Sequence, residues 1–209
     1  MYTSIVSFFQ DGGAFMYPIL IVLAIGLAIA IERYIYLSAS KTSNRQMLAK
    51  AMPLLKQGDF AQLQQLTSRK KNAISQMLNQ GLSRVKTAKR RDDIESAIEE
   101  SMMEVIPRLE KRTHYLAMFA NIATLLGLLG TIIGLIKAFT AVAQVDPSMK
   151  AEILSSSISV AMNTTAFGLI VAIPLIFIYT VLQTKTTEIV DSLEMATVKF
   201  VNLIVEHKQ

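Results

Sequence analysis

The chain is 209 residues long, 52% hydrophobic, 18% charged and carries a formal net charge of +5. That balance is too apolar for an ordinary soluble domain, and the lack of cysteine excludes disulfides and thiolate-ligated metal or redox centres. The two histidines, His114 and His207, lie far apart without ligand spacing, so neither a metal site nor a cofactor is expected.

The first apolar run extends from Ala14 to Ile31 and ends at Glu32 and Arg33. A cleaved signal peptide carries basic residues before its apolar run and a small-residue cleavage site after it. Here Asp11 precedes the run and ERYIYL follows it, which predicts a retained transmembrane helix over 14–37 behind an outside segment, 1–13. Pro18, near the outer end, is tolerated there.

A polar region, 38–112, follows and holds fifteen of the 21 basic residues. Its patterning is helical: MLAKAMPLLKQGD reads as a short helix ending near Gly58, with later breaks near Lys71 and Gly81. From Arg90 onward the rhythm strengthens, with Ile94, Ile98, Met102, Val105, Ile106 and Leu109 on one face and Pro107 as the one kink before the second span. The run Lys89-Arg90-Arg91-Asp92-Asp93 reads as a solvated helix start with its aspartates at the favourable end. Nothing aromatic is interleaved with these basic residues, so nucleic acid is not expected as a partner.

The second span, Tyr115 to Ile136 within 113–142, has 22 residues, about 33 Å of helix against a hydrocarbon core of roughly 30 Å. A short outer loop, 143–152, leads to the third span, Ile158 to Leu182 within 153–185, and an amphipathic carboxyl-terminal helix, 186–209. Basic residues are absent from the amino-terminal segment and concentrated in 38–112, which places the amino terminus outside and the polar region and carboxyl terminus in the cytoplasm. The predicted fold is all-α: an integral membrane protein with three transmembrane helices, the second and third extended into a cytoplasmic helical bundle.

Polar groups inside a membrane mark helix contacts or pathways. The second span carries Asn121, Thr124 and Thr131 with Gly127, Gly130 and Gly134; the third carries Asn163, Thr164, Thr165 and Gly168. The glycines suit close helix packing. Asn121, Thr124, Asn163 and Thr164 serve either packing or a pathway, and Thr131 and Thr165 either bond across a helix contact or supply hydroxyls for a wet seam or for a partner's ionisable group. Lys137 snorkels to the outer interface. No phosphate-binding glycine loop and no histidine near a nucleophile is present, so no enzymatic activity is expected.

Two ordered segments, NIATLLGLLGTIIGLIKAF and AMNTTAFGLIVAIPLIFIY, resemble the paired signature of the MotA/TolQ/ExbB proton channel family, read in ExbB and TolQ as GLLGTVxGI and ATAxGLxxAIPA. Three spans and a large loop after the first fit the ExbB/TolQ branch better than the four-span flagellar branch. The resemblance implies a homopentameric ring in the bacterial inner membrane. The ring would surround a single-span ExbD/TolR-like partner that supplies a transmembrane aspartate, with a TonB-like effector downstream. It assigns the ion pathway to Thr131 and Thr165. Two positions depart from the pattern: Val160 stands where these proteins carry a glutamate, and Thr124 where they carry a proline. With no carboxylate in the second or third span, the titrating group has to come from a partner. A sodium-driven stator-type channel and a structural scaffold without conduction are the alternatives.

Overall fold

The computed structural model describes residues 12–70, 72–85, 87, 88 and 90–208, with the side chains of 207 and 208 excepted. Most of the predicted outer segment, the break at Lys71 and the side chain of His207 lie outside the described residues. Six helices and no strand occur among the residues described: α1 Met16–Gln57, α2 Phe60–Ser68, α3 Ala73–Val85, α4 Arg91–Glu110, α5 Thr113–Val142 and α6 Lys150–Lys208. Three stretches, in α1, in α4–α5 and in α6, are long and apolar enough to cross a membrane.

The break expected near Gly81 is absent: α3 runs through it from Ala73 to Val85, the glycine serving instead to admit the Phe200 ring. Two further local results differ from the sequence expectation. The predicted short helix near 47–59 is the end of α1, which runs without interruption from the first span and carries Pro53 inside it. It stops where Gly58 turns left-handed at φ 70°, with Asp59 N–H donating to Leu54 and Gly58 N–H to Leu55. These two bonds satisfy carbonyls that the helix end leaves open. Asp59 then caps α2 by accepting from the Gln62 N–H at 2.9 Å. The second difference is a break between α4 and α5. Pro107 lies inside α4, and the chain leaves the helix at Lys111 and Arg112, the latter left-handed at φ 65°. A non-glycine residue there costs on the order of 1 kcal/mol. The Arg112 guanidinium reaches Glu32 at 3.5 Å.

The chain forms two compact units. The first contains residues 12–32 and 112–181, hence the three apolar spans. Its α1 face (Ile19, Val22, Gly26, Ala30) recurs at helical spacing, and Leu175 of α6 closes over Gly26. Large apolar side chains such as Ile21, Leu125, Ile132, Phe139, Ile173 and Phe177 are exposed, the pattern expected of a surface facing lipid or other helices.

The second unit contains residues 33–111 and 182–208, a bundle built on Leu37, Met47, Leu63, Met77, Ile98, Leu109 and Phe200. On α4, the predicted residues Ile94, Ile98, Met102, Val105 and Leu109 are buried, and Ile106 is half-buried. Arg33, which reads in sequence as an interfacial flank, is 2% exposed here. Its guanidinium donates to the Leu109 carbonyl and lies 4.7 Å above the Tyr36 ring. The Lys41 ammonium donates to Glu188 and pairs with it, holding that carboxyl below its ordinary range. The pair's contribution is therefore present above the ordinary glutamate range and is lost as pH falls through the lowered value. Glu188→Gln should remove this small acid-side loss from a pH–stability titration and leave the fold unchanged by circular dichroism.

Gly81 of α3 faces the Phe200 ring and Ile98. A Cβ there would lie 2.6 Å from Phe200 Cε1 and 3.0 Å from Ile98 Cδ1. The helix-propensity gain of Gly81→Ala, about 0.5–1 kcal/mol, is smaller than the overpacking cost of about 1–3 kcal/mol against a rigid ring. A lower thermal unfolding midpoint for the full chain in micelles is the expected result.

Candidate ion-pathway site

The site is built where α5 and α6 pass antiparallel. Small residues set the approach: Ala120, Ala123, Gly127, Gly130 and Ala138 are buried on α5, with Ala161, Gly168 and Ala172 on α6. A Cβ on Gly168 would lie 2.7 Å from the Ala123 carbonyl oxygen, and one on Gly134 would lie 2.8 Å from Ala161 Cβ. On Gly130 it would lie 2.4 Å from Thr164 Cγ2, and on Gly127 3.2 Å from Thr165 Cα. The predicted packing glycines thus form one seam, and at Gly168 the contact is backbone against backbone. In a membrane, where lipid is as apolar as the side chains, such close packing and interhelical hydrogen bonds drive association.

The two adjacent threonines of α6 are separated by the seam. Thr164 is buried, and its hydroxyl is 2.6 Å from the Gly12 carbonyl and 3.1 Å from that of Val160, bonding the chain ahead of α1 to α6. Thr165 is half-buried and donates across the seam to the Gly127 carbonyl at 2.8 Å. On α5, a Cβ on Gly130 would meet Phe15 just ahead of α1. Thr131, about 100° further round the helix, is half-buried and donates to the Leu128 carbonyl at 2.6 Å. Gly130 and Thr164 therefore mark the side of the seam that the α1 segment covers, and Thr131 and Thr165 border the opposite side.

Both hydroxyls on that open side commit their proton to a backbone carbonyl. What each has left is lone-pair capacity. The pair can accept a hydrogen bond from a protonated carboxyl or a hydronium ion, or offer oxygen to a bare cation. It cannot titrate, and neither can anything else in Tyr115–Ile136 or Ile158–Leu182 short of a tyrosine hydroxyl, because no acidic, basic or histidine side chain occurs there.

The remaining predicted residues are more peripheral. Asn121 and Thr124 are exposed on α5, with the Thr124 hydroxyl returned to the Ala120 carbonyl at 3.1 Å, and Asn163 is half-buried on α6. Sequence reasoning missed two features. One is the Gly127 carbonyl, an acceptor that no side-chain motif advertises. The other is Thr164 as a clamp on the chain before α1, which no pattern distinguishes from its neighbour.

An all-helical protein with three apolar spans and a glycine seam bordered by hydroxyls belongs to the class of multi-pass membrane proteins. Residues 69–195 match the MotA/TolQ/ExbB proton channel family, and the chain belongs to that family, on its ExbB-like side. It is 26% identical over 194 residues to a putative biopolymer transport protein ExbB homolog of Methanothermobacter thermautotrophicus, covering 92% of this chain and 67% of that one. It is 38% identical over 91 residues to biopolymer transport protein exbB1 of Vibrio cholerae, covering 44% and 40%, respectively. Biopolymer transport protein ExbB of Aquifex aeolicus is 34% identical over 88 residues, covering 42% of this chain and 59% of that protein. The match thus spans less than two thirds of the bacterial relatives' length. Val160, where the sequence pattern has a glutamate, is exposed in the amino-terminal part of α6, and no carboxylate stands in for it within either span.

Proposed function

We propose that this chain is the pore-ring subunit of a proton-motive-force-driven motor of the bacterial inner membrane. It conducts protons together with a single-span partner of the ExbD/TolR type to energise an envelope process. The observation that carries the reading is the pair Thr131 and Thr165: two hydroxyls on one side of the α5–α6 seam, their protons engaged by the Leu128 and Gly127 carbonyls and their lone pairs free to accept. A ring of such subunits lines a path with acceptors and holds no charge of its own. An aspartate from the partner takes and releases the proton, and the threonines solvate its neutral form. Family membership and the names of the relatives, biopolymer transport proteins, support the same role. The basic residues of 38–112 support an outside amino terminus and an inside carboxyl terminus.

The test is reconstitution in liposomes with an imposed pH gradient. Flux is expected from the chain with its aspartate-bearing partner and not from the chain alone. Equal flux without the partner overturns the half-channel reading. Threonine oxygens also suit sodium, so replacing sodium by choline separates the two ions: undiminished activity in choline supports protons, and loss of activity assigns sodium.

A further inference from the structure

The second compact unit leaves one surface that its own packing does not use. Between α4 and α6 runs a groove of about 320 Å³ whose apolar floor includes Met103, Ile106 and Val198, and whose rim carries Glu95, Glu99 and Glu194. Met103 is 74% exposed, a large unbranched side chain standing open beside three carboxylates. Glu95 is paired with Arg91 at 3.6 Å, and no ion pair is formed by Glu99 or Glu194 among the described residues. The groove has negative charge to spare and an unoccupied apolar floor.

The matching surface is in the same unit. On α1, Arg45, Ala49, Pro53 and Lys56 are exposed and recur at helical spacing, with Lys50 alongside. None of these three cations forms an ion pair among the described residues, whereas Lys41 on the same helix pairs with Glu188 of α6. No ion pair joins the two surfaces within one molecule among the described residues. Glu188, beside α1, and Glu194, on the groove rim, are six residues apart and so about 120° apart around α6. One copy therefore presents a basic, small-residue helix on one side and an acidic, apolar groove on another. Different complementary patches on one chain define a head-to-tail contact, which closes into a ring when the rotation between copies allows.

We propose that the α4–α6 groove seats the Arg45–Lys56 stripe of α1 from a neighbouring copy of this chain. The inference deepens the ring reading given above and rests on it. Ala49 and Pro53 lie over Met103 and Val198, and Arg45 and Lys56 reach Glu99 and Glu194. The charges set which face meets which, and the apolar floor supplies the contact area.

The chain has no cysteine, so Ala49→Cys and Met103→Cys report the contact cleanly. In full-length protein in nanodiscs, the double variant treated with a short bismaleimide should give a ladder of covalent multimers, and a mixture of the two single variants only dimers. Glu99→Lys with Glu194→Lys should raise the concentration at which the assembly dissociates by about tenfold, and combining it with Arg45→Glu and Lys56→Glu should restore assembly. Native mass spectrometry separates the two levels of failure. A ring that persists with no ladder and no charge effect overturns the groove assignment and leaves the ring standing; protein that is monomeric throughout overturns both. Dimers from the Met103→Cys variant alone indicate a two-fold contact through the groove and also overturn it.

Discussion

With Thr165→Val, proton flux through the reconstituted complex should fall by about 10- to 100-fold, and with Thr131→Val by a comparable factor. Valine keeps the shape of threonine and replaces the hydroxyl with a methyl group, which can neither donate nor accept a hydrogen bond. The lost interaction is a hydrogen bond to a group that changes charge as the proton passes, a class worth about 1.5–3 kcal/mol. Applied to the barrier, that range corresponds to the stated factors. Thr165→Ser retains the oxygen and should retain most of the flux. The control is Thr164→Val, one residue away. Its hydroxyl lies at the Gly12 carbonyl on the covered side of the seam, so it should lower the unfolding midpoint and leave the flux per folded complex near the wild-type value. Wild-type flux in Thr131→Val and Thr165→Val together, or an equal loss in Thr164→Val, would sink the assignment of the pathway to that side.

The second large effect belongs to the seam itself. In Gly168→Ala the new methyl meets the Ala123 carbonyl oxygen at 2.7 Å and Gly127 Cα at 3.1 Å. Both contacts are backbone atoms of α5, which move only if the helix moves. The cost should be at the upper end of the 1–3 kcal/mol typical of overpacking or beyond it, and the Thr165–Gly127 bond should be lost with the separation. Gly134→Ala offers the informative contrast. There the contacted atom is the Ala161 methyl, so adding Ala161→Gly should rescue Gly134→Ala, whereas no side-chain deletion on α5 should rescue Gly168→Ala. Thermal unfolding in micelles, read with proton flux, checks both. A Gly168→Ala protein with unchanged stability and flux shows that the helices are not in backbone contact.

Several features of the fold were legible along the chain because they are one-dimensional signals. A run of some twenty apolar residues has to cross a membrane as helix, since only helix satisfies its backbone there. Basic residues concentrated in one inter-span region, and the Gly-Thr segments at Gly127–Gly134 and Thr164–Gly168, are read in the same way. The lack of any acidic, basic or histidine side chain in the second and third spans, and with it the need for an outside titrating group, is also complete in the sequence.

The tertiary structure decided which of two adjacent threonines faces where. Thr164 and Thr165 have the same side chain and nearly the same neighbours. They differ because about 100° of helix rotation turns one to Gly12, 152 residues away in sequence, and the other to Gly127, 38 residues away. Arg33 reads as an interfacial flank and is buried against the Leu109 carbonyl, 76 residues distant. The stop at Arg112 and the uninterrupted run of α1 past Pro53 likewise follow from turn geometry and from packing partners far along the chain. Composition and periodicity determined the number of spans, their polarity and the charge they lack. Register between helices, which depends on atoms remote in sequence meeting at contact distance, decided which hydroxyls hold the fold together and which border the open side of the seam.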